Sequence, residues 1–166
     1  EVDPARMTGK IVASDLWHSF AQYIKSQSSY LYVLEQSEGS RCTKLSRYDS
    51  TTLDEKTIEL LPYGGSRTSV WALNCYASVD GMAVSADSVL CIGTTIDQSQ
   101  YDNVTSDTPH NIYLTITPVS DFSKEATSVK YLTNYTGNGK SFMGVKITPI
   151  TENRFMISWE EYENTD

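Results

Sequence analysis

The sequence predicts an all-β protein built from tandem four-stranded antiparallel meanders, each resembling one blade of a β-propeller. Two observations support this fold class. Short runs in which apolar and polar residues alternate recur along the chain, and β-branched and aromatic residues dominate these runs. Polar turn segments separate the runs, and long stretches with the 3.6-residue spacing of an amphipathic helix are almost missing. A β-sandwich is the alternative architecture.

The first predicted unit contains three clear strands and one ambiguous segment. Its segments are Ser19–Ser26, Tyr30–Ser37, Arg41–Tyr48 and Thr57–Tyr63. The polar link Ser26–Ser29 has the length of a hairpin turn. The stretch Thr52–Leu61 begins like a helix capping box, with Glu55 at the N3 position, yet it also has the composition of a strand. Both interpretations remain open for this segment.

The second unit and a partial third follow the same pattern. Their segments are Cys75–Ser85, Ser88–Gln98, Asn111–Thr117 and Ser128–Tyr135, and then Phe142–Thr148 and Arg154–Glu161. Pro118 and Pro149 are expected at strand ends or edges, because proline cannot donate to a ladder. The predicted repeats therefore span 15–65, 66–136 and, in part, 137–166, which makes about two and a half units.

The number of units raises the question of how the sheet edges are covered. A closed propeller needs roughly four or more blades. Three arrangements remain open, namely a single domain that packs as a sandwich, a segment excised from a longer chain, and an assembly of two copies. The chain begins at Glu1 with no charged and then apolar leader, which favours a segment of a longer polypeptide. A strand at Lys10–Ala13 would cover one edge.

Five segments resemble a known family. They are Trp17–Gln22, Thr94–Gln98, His110–Leu114, Leu132–Tyr135 and Phe155–Glu161. Together they resemble the blades of large β-propeller-like surface proteins of gut Firmicutes, over about Asp15 to Glu161. The resemblance implies an extracellular or cell-surface location. It supplies no catalytic residues, because the Trp-Asp repeat signature and the sialidase-type Asp box are missing from the sequence.

Composition and charge argue against several function classes. The chain has 166 residues, with 13 Lys and Arg against 21 Asp and Glu, and a net charge of −8. An acidic surface repels phosphate, so we expect no nucleic-acid partner and no binding to anionic membranes. No apolar run approaches the roughly 18 residues of a membrane helix. We therefore expect no membrane insertion.

The three cysteines indicate neither a metal site nor a cofactor. No pair has the CxxC spacing, and an odd count leaves at least one free thiol in a monomer. Cys91 lies in the apolar run Val89–Ile92 and is expected to be a small buried side chain. A disulfide between Cys75 and Cys91 is left open, as is the state of Cys42.

Residues that often carry catalysis do not form a catalytic pattern here. His18 and His110 are expected to be structural or loop histidines, because no nucleophile motif accompanies them. Glu160 and Glu161 are adjacent on a predicted strand and should point to opposite faces, unlike a glycosidase pair. The sequence therefore predicts a protein that is not an enzyme.

The best candidate binding site is a long polar and acidic loop between Gln98 and His110. Tyrosine and tryptophan are favoured at binding hot spots because they bury a large area at low entropic cost. The candidate binding residues are Tyr101, Asp102, Asn103, Asp107 and His110, together with Trp71 and Tyr76. Asn103 and Asn134 each begin a glycosylation sequon in a polar stretch.

These observations predict a non-catalytic extracellular binding module of a bacterial surface protein. Its partner is expected to be another protein, and a host secreted protein such as an immunoglobulin fits by analogy with the family. An open sheet edge would add strand pairing with that partner, and remaining blades or a second copy would complete the fold. The alternative is a carbohydrate-binding segment, or part of a glycan-active enzyme, in which aromatic rings stack on sugars.

Overall fold

A computed structural model describes residues 2–3, 8–9, 21–37, 42–62, 77–96, 108–137 and 140–163. All regular elements within these ranges are β-strands, and none of them is a helix. The all-β prediction is therefore confirmed. The same ranges contain no helix of the length and apolar character needed to cross a membrane. Two short strands, β1 (Val2–Asp3) and β2 (Thr8–Gly9), pair with each other in an antiparallel ladder.

Sheet I is a four-stranded antiparallel meander. It contains β3 (Gln22–Gln27), β4 (Tyr30–Ser37), β5 (Cys42–Asp49) and β6 (Glu55–Pro62), hydrogen-bonded in that order. The ambiguous segment before β6 forms a turn and then a strand. The Asp49 carboxylate accepts hydrogen bonds from the backbone N–H groups of Thr51 and Thr52, at 2.8 and 2.9 Å, and so stabilises a tight turn instead of a helix start.

Sheet II is a second four-stranded meander, and sheet III is a hairpin within the described residues. Sheet II contains β7 (Gly81–Val84), β8 (Ser88–Thr95), β9 (Asn111–Pro118) and β10 (Ser128–Tyr131), again antiparallel and in chain order. Sheet III contains β11 (Lys140–Thr151) and β12 (Arg154–Glu163). The first strands of the three sheets are neighbours, with β3 against β7 and β7 against β11. The tandem, blade-like arrangement of four-stranded meanders is thus present in the structure.

Two apolar clusters join the sheets. The larger one lies between sheets I and II and is formed by buried side chains that include Tyr32, Leu34, Leu45, Leu60, Val89, Tyr113 and Phe122. The smaller one joins sheets II and III and contains Ile92, Ile112 and Val145, with Phe142, Ile147 and Ile157 packed against it. Each sheet therefore buries apolar side chains against its neighbour, as packed layers require.

The loop between β9 and β10 connects sheet II to sheet I. Phe122 is 1% exposed, and its ring centroid lies 6.2 Å from that of Tyr32. The Arg47 guanidinium lies 4.7 Å from the centre of the Phe122 ring and donates a 2.9 Å hydrogen bond to the carbonyl of Val119. The ammonium of Lys124 also donates to the carbonyl oxygen of Leu60. Aromatic packing, cation–π contact and backbone hydrogen bonds thus hold the same loop.

A β-bulge in β11 brings Phe142 and Val145 to the same face of sheet III. Met143 pairs with Glu160 and Lys146 with Ser158, so Gly144 and Val145 together lie opposite the single residue Trp159. Gly144 has a φ of +64°, the left-handed conformation that glycine adopts without steric cost. The extra residue shifts the alternation by one position, and as a result Val145 is buried within the sheet II–III cluster.

Replacing Gly144 with alanine should destabilise the protein by about 1 kcal/mol, because an L-residue is strained at this φ. A Cβ at this position meets nothing within 4 Å, so the cost comes from the backbone and not from a clash. Urea unfolding followed by tryptophan fluorescence measures the change. Gly137→Ala is the control, because its Cβ also meets nothing but no positive φ is recorded there. Equal stability of the two variants would contradict the prediction.

The two cysteines in the described ranges are buried and are not disulfide-bonded. Cys91 is fully buried, as the apolar run around it predicts, and Cys42 is 3% exposed. Cys91 is not disulfide-bonded, and Cys75, its partner in the disulfide left open above, lies outside the described residues. Burial raises the pKa of the Cys91 thiol to about 12. This thiol is therefore protonated and unreactive in the folded state at neutral pH.

Candidate functional site

Most of the binding residues predicted from the sequence lie outside the described residues. Tyr101, Asp102, Asn103 and Asp107 belong to the predicted long loop, and Trp71 and Tyr76 precede sheet II. Their roles stay predictions. His110 is described, and it is half-buried immediately before β9. It therefore lies next to Asn111, whose side chain organises the cleft described next.

Asn111 anchors the segment that follows β10. Its side chain is 7% exposed, and its Nδ2 donates to the carbonyl of Tyr135 at 3.2 Å. Its Oδ1 accepts hydrogen bonds from the backbone N–H of Tyr135 at 2.7 Å and from the hydroxyl of Thr133 at 3.0 Å. The backbone N–H of Ile112 donates to the Thr133 hydroxyl at 2.9 Å. These bonds fix the position of Tyr135 relative to β9.

The Tyr135 cleft lies between this anchored segment and the open end of the β11–β12 hairpin. It has a volume of about 590 Å³. Its lining residues are Asn134, Tyr135, Thr136, Gly137, Lys140 and Glu163. The Tyr135 ring stacks on Phe142, with the ring centroids 5.8 Å apart and the planes at 18°. The cleft therefore combines an ordered aromatic surface with amide, hydroxyl, ammonium and carboxylate groups.

Glu161 links both sides of the cleft. Its carboxylate accepts a hydrogen bond from the Tyr135 hydroxyl and a 2.6 Å charged hydrogen bond from the Lys140 ammonium. The bond from Lys140, followed by that from Tyr135, holds the pKa of Glu161 below its usual range. The bond to Glu161 likewise raises the pKa of Lys140. Lys140 and Glu161 are therefore both charged across the neutral range.

Replacing Lys140 with methionine should raise the pKa of the Glu161 carboxyl toward the ordinary glutamate value of 4.5. Because the folded-state pKa of Glu161 is depressed, its contribution to stability is present above the ordinary carboxyl pKa and is lost as the pH falls through the folded value. A titration of the side-chain carboxyl carbons by NMR measures the shift. Lys130→Met, on the exposed strand β10, is the control and should leave Glu161 unchanged. An unchanged Glu161 pKa in Lys140→Met would contradict the prediction.

The outer face of the β11–β12 hairpin is the side that points away from sheet II. Met143, Met156 and Tyr162 lie on this face, since they alternate with the inward-facing Phe142, Ile157 and Glu161. They are 53%, 54% and 44% exposed. Ile150, near the hairpin tip, is 63% exposed. Lys146, Arg154 and Glu160 are exposed charged residues on the same two strands.

The edge of β12 away from β11 is free of any partner among the described strands. Among the strands that the structure describes, β12 pairs with β11 alone, and every residue from Ser158 to Glu163 is exposed. An unpaired edge presents backbone N–H and C=O groups that can pair with another strand. The outer face and this edge are therefore adjacent surfaces of the same hairpin.

Sheet I carries a second polar cluster, on the face away from sheet II. Glu35 is 4% exposed, one of its carboxylate oxygens has no hydrogen-bond partner, and burial raises its pKa. Farther along the same face, the Thr57 hydroxyl donates to Glu55 at 2.7 Å. Burial, followed by a hydrogen bond with Glu55, raises the pKa of Tyr48 to about 12. The alternating pattern of β4 gave no signal that a glutamate would be buried here.

Comparison with known proteins finds no match. No family model, curated protein or solved structure matches the chain.

Proposed function

We propose that the chain is a non-catalytic binding module of an extracellular bacterial surface protein and that it engages a protein partner. The observation that carries the proposal is the outer face of the hairpin, where large apolar side chains remain exposed. Large apolar side chains left exposed together with polar ones are characteristic of interaction sites. Methionine, tyrosine and arginine, which this face combines, are enriched in protein interfaces. The surface location rests on the resemblance to propeller-like surface proteins.

The chemistry of the outer face defines the partner. Met143 and Met156 are unbranched and flexible, so they adapt to irregular apolar surfaces. Charges of both signs accompany them, with Lys146 and Arg154 against Glu160. Lys146 and Glu160 lie between Tyr162 and Met156 along this face, so a partner that presents both apolar groups and groups of either charge complements it. A host secreted protein such as an immunoglobulin is the class that we put to the test.

The experiment measures binding of the full chain to purified polyclonal immunoglobulins G and A by biolayer interferometry. We expect saturable binding to at least one of them. The double variant Met143→Ser/Tyr162→Ser should weaken binding at least about tenfold, because it removes apolar contact area from the outer face. Val129→Ser is the matched control, since Val129 is an exposed apolar residue on sheet II. Its affinity should equal that of the unaltered chain.

Two results would overturn this proposal. One is no saturable binding to either immunoglobulin. The other is binding that the Met143/Tyr162 double variant leaves unchanged. Thermal unfolding of each variant by circular dichroism verifies the fold. Because Met143 and Tyr162 are both exposed, we expect the double variant to stay folded. A loss of binding therefore reports on the outer face and not on unfolding.

The Tyr135 cleft supports carbohydrate binding as a second candidate function. Sugars stack on tyrosine rings and form hydrogen bonds with amide and carboxylate groups, and the cleft presents these groups around a fixed ring. The Lys140–Glu161 pair neutralises itself and leaves Glu163 as the remaining charged group of the lining, which disfavours anionic sugars. We expect neutral oligosaccharides to bind in preference to sialylated ones.

Titration with cellotetraose, lactose and sialyllactose, followed by NMR, tests this candidate. Shifts for a neutral sugar that disappear in Tyr135→Ala and persist in Tyr162→Ala support it, because Tyr162 lies on the outer face. No shift with either neutral sugar, or equal shifts with sialyllactose, would rule out the preference that the cleft predicts.

A further inference from the structure

The free edge of β12 has a sequence that is complementary to itself. Arg154 and Glu160 lie three residues on either side of Ile157, and they carry opposite charges. Phe155 and Trp159 lie two residues on either side of it, and both are aromatic. When two identical strands pair antiparallel about a two-fold axis, each residue meets the one at the same distance on the other side of the axis.

We propose that two copies of this chain pair through their β12 strands, antiparallel and centred on Ile157. Arg154 then lies opposite Glu160 of the second copy, and Phe155 lies opposite Trp159 of the second copy. Each pair occurs twice because the arrangement is symmetric. Opposite charges and aromatic pairs at directly opposed positions are the pairings that stabilise antiparallel sheets.

Two other registers are less favourable. An axis at Trp159 places Ile157 opposite Glu161 and Phe155 opposite Glu163, so that apolar side chains meet carboxylates. An axis at Glu161 places that carboxylate opposite its own copy, and like charges at opposed positions are destabilising. Among axes at a residue of β12, only the one at Ile157 places Arg154 opposite a glutamate of that strand, and this pair favours the register centred on Ile157.

The geometry of the fold favours a second copy as the occupant of this edge. Within the described residues, sheets I and II each contain four strands, whereas sheet III contains two. Pairing of two hairpins in the order β11, β12, β12, β11 yields a third sheet of the same size. The two outer faces then lie on one continuous sheet. This inference goes beyond the proposed function, because it concerns the edge of the hairpin and a different partner.

Analytical ultracentrifugation of the full chain tests the pairing, at about 5 to 200 µM protein and 0.15 M salt. At this salt concentration the Debye screening length is about 8 Å. Beyond that distance the repulsion between two chains that each carry a net charge of −8 is largely screened. We expect a concentration-dependent species of twice the monomer mass. Arg154→Glu places two glutamates opposite each other, and we expect it to weaken the dimer at least about tenfold. Glu160→Arg should do the same by opposing two arginines.

The double variant Arg154→Glu/Glu160→Arg exchanges the charges and should restore the dimer. Lys130→Glu is the matched control, because it makes the same charge change on the exposed strand β10 and should leave the dimer unchanged. Restoration by the double variant also excludes misfolding as the cause of the single-variant losses.

A chain that stays monomeric at the highest concentration would overturn the pairing. So would a dimer that Arg154→Glu leaves intact, or one that the charge exchange does not restore. Immunoglobulin binding through the outer face is measured separately with the Met143 and Tyr162 variant. A failed dimer and a failed binding module are therefore distinguishable results.

Discussion

Gly93→Ala is expected to destabilise the protein by about 3 kcal/mol or more. A Cβ at this position would lie 2.0 Å from the carbonyl oxygen of Ser78 and 2.8 Å from the hydroxyl of Tyr113. The Ser78 oxygen belongs to the backbone, so a side-chain rotation cannot relieve the clash. The Tyr113 hydroxyl donates a 2.7 Å hydrogen bond to that same oxygen, and Tyr113 is fully buried. Relief of the clash therefore disturbs a buried hydrogen bond as well.

Urea unfolding of Gly93→Ala, followed by circular dichroism, measures this loss. Gly137→Ala is the control, because its Cβ meets nothing within 4 Å, and its stability should stay within about 0.5 kcal/mol of the unaltered protein. If Gly93→Ala lowers the free energy of unfolding by less than about 1 kcal/mol, the Ser78 carbonyl does not approach β8 as closely as the structure shows.

Phe122→Ala should cost about 3 to 5 kcal/mol, the range for removing a buried aromatic ring from a core. The ring is 1% exposed and contacts both Tyr32 and the Arg47 guanidinium. Its removal leaves a cavity between sheets I and II and takes away one of the two cation–π contacts of Arg47, the other being with Tyr30. We therefore expect the loss of stability to affect both sheets.

Phe122→Leu is the companion variant. It keeps most of the apolar volume and should cost clearly less than Phe122→Ala. The midpoint of thermal unfolding, monitored by circular dichroism and by tryptophan fluorescence, measures both variants. Equal losses for the two substitutions would show that volume at this position does not determine the packing of sheet I against sheet II.

The sequence predicts the strands most accurately where alternation and local turns agree. The segments Tyr30–Ser37 and Asn111–Thr117 coincide with β4 and β9 to within one residue, because alternating β-branched and aromatic residues determine them locally. The turn before β6 was ambiguous because the stretch from Thr52 matches a helix cap as well as a loop. The hydrogen bonds to Asp49 that determine the turn come from a residue before that stretch.

Strand ends that depend on distant contacts were predicted less well. The strand expected over Ser128–Tyr135 ends at Tyr131, because the side chain of Asn111 binds the backbone of Tyr135. The Tyr135 cleft has the same origin. Glu161 lies 26 positions from Tyr135 along the chain, and packing brings them together. Such non-local contacts leave no periodic signal in the sequence.

The buried thiols of Cys42 and Cys91 make each four-stranded sheet separately observable. Cys42 belongs to β5 and Cys91 to β8, so alkylation of either thiol requires that its own sheet opens. In a Cys75→Ser background, mass spectrometry after timed labelling resolves the two sites as separate peptides. Their relative rates then reveal whether the two meanders open together as one cooperative unit or one before the other.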